Sequence, residues 1–352
     1  MQGREAATVD DAAAELAAWE VGPAAVAPLG DGLINDTFAV DATGGRFVLQ
    51  RVHPVFRPEV HLNILAVTAR LVERGIATPE LQRTTDGSLW SAPPGAVWRL
   101  MTRMPGHSFG AVRSAAQAHH AAGLLARFHE ATADLPHEFV GMRTGVHDTA
   151  AHLAALELAV AEHPDHRLHG EVAALAAAIL AGARALPDLS GLPERVVHGD
   201  PKLNNVLFEG TEGDASEHPL CLVDLDTVGP SALHLELGDM WRSWCNLRGE
   251  NERNAAFDFG VFEASLHGYA AGRAAPTRDE RDALVHGLEW ITLELAARFA
   301  ADALEERYFG WDARRFPARG EHNLVRAQGQ WALHGQALAN REARRTAIAR
   351  AW

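Results

Sequence analysis

The sequence predicts an α+β fold of two lobes, a small mixed β/α N-terminal lobe over residues 1–103 and a larger, mainly helical C-terminal lobe over 104–352. Three observations predict it. Short β-prone runs cluster in the first hundred residues, long alanine- and leucine-rich stretches of helical character follow Pro105-Gly106, and only the segment around 196–226 interrupts them. At 352 residues the chain can bury a large core and divides more naturally into two lobes than one.

Taken in order, residues 9–19 read as a short alanine-rich helix that ends near Gly22-Pro23. Runs at 35–40, 46–52, 79–83 and 97–103 read as β-prone, the first two and the last through β-branched and aromatic residues. A helical segment from about 58 to 74 interrupts them and stops at Gly75. The later helical stretches fall at roughly 111–133, 148–162, 168–187, 236–247, 255–272, 276–307 and 322–345. Alanine is a strong helix former, so this richness reflects propensity rather than low complexity.

The chemistry concentrates in the interruption. His198-Gly199-Asp200-Pro201-Lys202-Leu203-Asn204-Asn205 follows the apolar lead-in Arg195-Val196-Val197 and precedes Val206-Leu207-Phe208. A turn-rich stretch, 209–216, then leads to Leu220-Cys221-Leu222-Val223 and Asp224-Leu225-Asp226. A loop, a strand, a turn and a second strand bring Asp224 back beside Asn205. Phosphoryl transfer from a magnesium nucleotide needs an aspartate to orient the attacking hydroxyl, an asparagine five residues on to hold metal, and a second aspartate after the next strand. Asp200, Asn205 and Asp224 fit those roles. Asp226 either shares the metal or caps the strand. Lys202 is placed to face the transferring group, where positive charge is most useful. His198 reads as a structural bond to backbone near Asp224, and Asp239 with Arg242 as an ion pair on one helix or a tie to the catalytic loop. Trp241 and Trp244 read as core.

The donor site is expected between the lobes. Leu29-Gly30-Asp31-Gly32-Leu33-Ile34-Asn35 supplies Gly30 and Gly32, whose backbone can approach phosphates. The strand that follows offers Gln50 and Arg51 on opposite faces as the phosphate-binding group, and Arg51 is favoured because a guanidinium forks two oxygens. Glu59 and Glu73 are the available helix carboxylates to orient it. The adenine edge falls at Met101-Thr102-Arg103-Met104 by its position between the lobes.

His198-Gly199-Asp200, Asn205 and the Asp224-x-Asp226 pair resemble the motifs of the aminoglycoside phosphotransferase and choline kinase superfamily, small-molecule kinases with a protein-kinase-like bilobal fold. A narrower similarity is to N-acetylhexosamine 1-kinases. Gly32-Leu33-Ile34-Asn35-Asp36-Thr37-Phe38 resembles that group's Gly-His-Ile-Asn-Asp-Thr-Phe loop, with Leu33 where histidine is expected. Phe47 to Phe56, Val146-His147-Asp148-Thr149, Asp224-Leu225-Asp226-Thr227-Val228, Leu237-Gly238-Asp239 and His322-Asn323-Leu324-Val325-Arg326 are also similar. The resemblance runs from about residue 25 to 330. It implies ATP and Mg2+ as cofactors, the anomeric hydroxyl of an N-acetylhexosamine or related hexosamine as acceptor, and a sugar pocket built from Asn35, Asp36, the catalytic loop and late positions around Arg298, Asp302, Tyr308, His322, Asn323 and Arg326. Two other readings stand beside it: a kinase of an aminoglycoside, homoserine or amino alcohol, and a nucleotide-binding protein without turnover, suggested by the missing strand lysine. Retention of Asp200 argues against the last.

Composition excludes other classes. A formal net charge of −14 argues against nucleic-acid binding, and no apolar run approaches a membrane span. The polar start Met1-Gln2-Gly3-Arg4-Glu5 lacks a signal-peptide pattern, and two cysteines, Cys221 and Cys245, point to a reducing cytoplasm. Nineteen histidines form no helical zinc pair, and no G-x-S-x-G elbow supports a serine hydrolase. The partner expected is a small-molecule sugar, taken up by a monomer or homodimer.

Overall fold

The computed structural model describes residues 6–30, 34–210, 217–272 and 275–352. An antiparallel sheet forms the N-terminal lobe from β1 (Ala24–Pro28), β2 (Asp36–Ala42), β3 (Gly45–Val52), β4 (Leu81–Gln82) and β5 (Val97–Thr102), in the order β1-β2-β3-β5-β4. The helix α1 (Val9–Glu15), closed by a Thr8–Asp11 capping box, covers one face. There Phe38, Val40, Phe47, Leu49, Trp98 and Leu100 pack against Ala12, Leu16 and Trp19. Strand alternation sends Val48, Gln50, Arg99 and Met101 to the other face. The helix α2 (Val60–Glu73) packs into the main core through Ile64, Val67 and Leu71.

Helices dominate the rest: α3 (Ala115–Thr132), α4 (Thr149–Glu162), α5 (His169–Ala183), α6 (Leu233–Trp244), α7 (Phe259–Ala271), α8 (Arg278–Glu305), α9 (Arg319–Ala339) and α10 (Arg341–Ala351). At 28 residues α8 is about 42 Å long. It is the spine against which α4, α5, α6, α9 and α10 lie. Gly238 and Gly287 let α6 and α8 touch backbone to backbone, since a Cβ on Gly238 would run into the Gly287 carbonyl. The expected 322–345 helix is two helices with a break at Asn340. Unexpected were β1, an exposed alanine-rich edge strand, and β9 (Gly229–Ala232), whose Gly-Pro-Ser-Ala sequence carries no β signal.

Two short ladders position the chemistry. Strand β6 (Glu194–Val197) pairs with β9, and β7 (Val206–Phe208) pairs with β8 (Pro219–Leu222). One loop leaves β6 and enters β7; the other leaves β8 and enters β9. The chain between the lobes docks on the same frame, where His107 and Phe208 exchange backbone hydrogen bonds of 3.1 and 2.8 Å.

Candidate active site

The 198–205 and 223–228 loops are stitched together by backbone. The Val223 N–H donates to the Asn205 carbonyl at 2.9 Å, so Asp224 lies beside Asn205 as the strand–turn–strand pattern required. His198 is fully buried; its Nε2 meets the Val223 carbonyl at 2.9 Å, and its Nδ1 accepts the Asp200 N–H at 3.3 Å. Those partners require the neutral ring protonated at Nε2, a structural role rather than proton transfer. The Thr227 hydroxyl donates to the His198 carbonyl at 3.0 Å. Gly199 sits at φ +82°, and a Cβ there would lie 2.5 Å from the Thr227 carbonyl oxygen. Only glycine closes this seam.

Behind the loop stands a residue the sequence reading passed over. Glu236 of α6 is 2% exposed, and its two carboxylate oxygens accept the His198 and Gly199 N–H groups, each at 3.0 Å. His129 closes the arrangement, 3.3 Å from Glu236 by its Nε2 and 2.7 Å from the Tyr269 hydroxyl by its Nδ1. The indole of Trp244 donates to the Pro201 carbonyl at 2.9 Å, so a core tryptophan also pins the loop. A charged residue inside the apolar pattern Leu233-His234-Leu235-Glu236-Leu237 was the available signal.

At the centre, Asp200 Oδ2 accepts Lys202 Nζ at 2.6 Å and Asn205 Nδ2 at 3.2 Å. With Nδ2 donating, Asn205 keeps Oδ1 for a cation. Burial works against the Lys202 charge, but the carboxylates of Asp200, Asp224 and Asp239 outweigh it and raise the ammonium above its ordinary value. Asp224 holds a left-handed conformation, φ 65° and ψ 57°, a strained setting that aspartate tolerates and that clusters at functional sites. Its carboxyl is pushed up to about 6, first by burial and then by the charges of Asp226 and Asp200. The residue as a whole is exposed, while its carboxyl lies among the charged groups of Asp226, Asp200 and Lys202. A carboxylate in that position is one that a cation would relieve.

Asp224 and Asn205 therefore fit a magnesium ion, which takes one or two protein oxygens and completes its shell from phosphates and water. Among the described residues no group of three or more His, Cys, Asp or Glu side chains holds a metal alone. Asp226, for which the sequence leaves a share in the metal and a cap on the strand both open, is engaged by protein groups. It is 6% exposed, with Oδ2 accepting Asn35 Nδ2 at 2.7 Å and Oδ1 accepting the Arg99 guanidinium. Burial alone would raise its pKa, and Arg99 and Asn35 reverse that and lower it.

The same pairing redraws the phosphate side. Arg51 lies on the α1 face of β3 with Phe47 and Leu49, where Asp36 accepts its guanidinium at 2.7 Å. Gln50 faces the other way and accepts Arg99 from β5, through Nε at 2.9 Å and Nη2 at 2.7 Å. Glu59 and Glu73 pair locally, with Arg57 at 3.7 Å and Arg70 at 3.4 Å, and orient neither arginine. Gly30, at φ +74°, ends the described part of the glycine loop; Asp31, Gly32 and Leu33 lie outside the described residues. Met101 shares a face with Arg99, and Met104, half-buried, follows at the lobe junction.

The expected sugar contacts are engaged by the protein itself. Asn35 also accepts the His53 N–H at 2.8 Å. His322 and Arg326 both bond Asn251 at 2.9 Å, and Asn323 donates to Asp302 at 2.8 Å. Asp302 in turn accepts the N–H groups of Arg307, Tyr308 and Phe309, which makes it a turn anchor. Arg298 lies over the Phe309 ring, 4.0 Å from buried Glu294. Nearer the loop, Asp239 and Arg242 form the expected ion pair at 2.7 Å, extended to Glu250 at 3.0 Å. A cavity of about 560 Å³ lined by His119, His120, Arg127, Glu209 and His218 shares no residue with the site.

Comparison with known proteins adds three findings. Residues 25–274 match the phosphotransferase enzyme family, APH. The chain is 30% identical over 184 residues to a homoserine kinase of Neisseria meningitidis serogroup B, spanning 52% of this chain and 56% of that protein. It is 27% identical over 279 residues to a homoserine kinase of Bradyrhizobium sp., spanning 78% and 76%. The fold is that of amicoumacin kinase hAmiN, solved with AMP-PNP, Ca2+ and Ami (TM-score 0.62, 15% identity, 91% of each chain). It is also that of a microcompartment-associated aminopropanol kinase (TM-score 0.60, 15% identity, 95% and 98% of the two chains).

Proposed function

This chain belongs to the phosphotransferase enzyme family, and from that premise we propose that its loops transfer the γ-phosphoryl group of ATP to a hydroxyl of a small molecule. The observation that carries the reading is the meeting of Asp200, Lys202, Asn205 and Asp224 on two loops tied by the Asn205–Val223 bond. A structure neighbour solved with AMP-PNP and Ca2+ supports ATP with a divalent cation as donor. The ion, when bound, neutralises phosphate charge and steadies the leaving group.

The chain's own groups divide the work. Asp200 orients the acceptor hydroxyl and takes its proton as the new O–P bond forms and the bond to ADP breaks. Lys202 is paired with Asp200 at 2.6 Å. Moving to the γ-phosphoryl oxygens, it places positive charge where charge builds and frees Asp200 to accept a proton. Asn205 and Asp224 are the side chains that would hold the cation, which would supply positive charge to the nucleotide phosphates.

For the acceptor we infer an N-acetylhexosamine or related hexosamine, phosphorylated at the anomeric hydroxyl. That hydroxyl is the most acidic on a reducing sugar, so it gives up its proton to a carboxylate base most readily. With Asn35, His322, Asn323 and Arg326 bonded within the protein, they act for this reading as loop supports rather than ring contacts. The reading then rests on the sequence resemblances at 32–38, 224–228 and 322–326. The two homoserine kinase relatives favour a second reading, an amino alcohol such as homoserine. Transfer from magnesium ATP across N-acetylglucosamine, N-acetylgalactosamine, glucosamine, galactose, homoserine and kanamycin tests both, with phosphorus NMR locating the phosphate. An acid-labile anomeric phosphate establishes the sugar reading. A phosphate ester on homoserine replaces it with the second.

A further inference from the structure

We propose that Asp226 is a clasp between the lobes, holding Arg99 of the sheet, and that it positions Asp224 for the cation without itself being a ligand. The inference rests on the kinase reading above and deepens it.

Four observations converge. First, both Asp226 oxygens are engaged, Oδ2 by Asn35 at 2.7 Å and Oδ1 by Arg99, with 6% of the residue exposed. Both partners come from the N-terminal lobe, 191 and 127 residues away in sequence. Second, the partners are themselves fixed. Arg99 is 1% exposed and forks onto Gln50, Gln50 donates to the Thr37 hydroxyl at 3.0 Å, and Asn35 accepts the His53 N–H. A guanidinium held on two sides cannot reach phosphate while this arrangement stands. Third, the nearest titratable ring adds no cation. The ring of His61 on α2 lies close enough to feel both Arg99 and Asp226, yet burial, then Arg99, lowers it to about 4, leaving it neutral. Fourth, Asp226 lies two residues beyond Asp224, in the short 3-10 turn Leu225–Thr227 that fixes the left-handed turn of Asp224.

Gln50 acquires a reason on this account. It occupies the cleft face of β3, opposite Arg99 in the register, and its carbonyl oxygen is the seat for the guanidinium. A lysine there would set two cations against each other. The sheet therefore delivers its charge from β5 to a carboxylate of the other lobe.

The test is a cycle of Asp226→Ala, Arg99→Met and the double variant, read as kcat/KM for magnesium ATP, as the Mg2+ concentration for half-maximal turnover, and as melting temperature without nucleotide. Each single variant leaves a buried charge or its partners unpaired and is expected to lose on the order of a hundredfold in kcat/KM. The double variant removes both charges and is expected to return to within about tenfold of the unmodified protein. The Mg2+ requirement should rise in both single variants, as Asp224 loses its placement, and return together with turnover in the double variant. Were Asp226 a ligand, Asp226→Ala would raise the Mg2+ requirement and removing Arg99 would not restore turnover; that outcome overturns the proposal. Where Asp226→Ala does not accumulate folded, Asp226→Asn carries the same comparison. If the unmodified protein transfers no phosphate, the kinase reading fails separately. The melts still decide the clasp: losses that do not add support it, and additive losses overturn it.

Discussion

Replacing Glu236 with glutamine should damage catalysis without touching any group that meets a substrate. The carboxylate receives the His198 and Gly199 N–H groups at 3.0 Å each, one residue before Asp200, and is 2% exposed. Glutamine has the same size but one acceptor oxygen, and its amide nitrogen would confront the second N–H donor to donor. Losing a hydrogen bond to a charged acceptor costs about 1.5–3 kcal/mol, and leaving a buried N–H unsatisfied about 1–3 kcal/mol. A total near 3 kcal/mol, in a chain of 352 residues melting as one unit, lowers Tm by about 4 °C. The larger effect should be kinetic. A shift of about 1 Å in the loop carrying Asp200 can lower kcat on the order of a hundredfold, while Asp224, on the other loop, keeps its hold on magnesium ATP. Melting by circular dichroism and steady-state kinetics measure both. A Glu236→Gln protein with unchanged Tm and kcat would refute the assignment of Glu236 as the support of the catalytic loop.

Two further outcomes follow from the geometry. Since the Asp224 carboxyl is raised to about 6, its ionised form is disfavoured. The contribution of this group to stability is then present at pH below its ordinary value of 3.8 and is lost as pH rises through about 6. Cation binding needs the ionised form, so magnesium ATP should release about half a proton at pH 6 through this group and almost none at pH 8. Calorimetry in buffers of different ionisation enthalpy measures it, and equal release at both pH values would count against Asp224 as the ligand. Gly238→Ala would push a methyl into the Gly287 carbonyl and separate α6 from α8. A loss of about 1–3 kcal/mol in urea unfolding is expected, and an unchanged midpoint would contradict the close crossing.

The architecture and the two loops were legible because local signals there agree with the fold. Asp200, Asn205 and Asp224 sit in loops whose flanking strands are apolar and whose spacing admits one return path, and the structure follows it. Strand β9 was illegible because its pairing with β6 is imposed by tertiary context on a sequence without β propensity. Arg51 was favoured over Gln50 because chemistry was weighed before face. The alternation Phe47, Leu49, Arg51 against Val48, Gln50 already places the arginine on the α1 side. Arg99 and Glu236, single charges within apolar strand and helix patterns, carried the signal of buried, paired groups. Their partners lie on distant segments, which spacing alone cannot supply. The late polar residues His322, Asn323 and Arg326 read as a pocket because polar side chains on a helix can face either ligand or protein. Burial settles it, since α9 turns them inward onto Asn251 and Asp302.

The measurement closest to the central claim compares the unmodified protein with Asp200→Asn, following phosphoryl transfer from magnesium ATP to its best acceptor beside calorimetric binding of magnesium ATP. With Asp200 as the base, turnover should fall on the order of a thousandfold or more while the nucleotide Kd stays within about threefold. Near-normal turnover in Asp200→Asn would contradict the account.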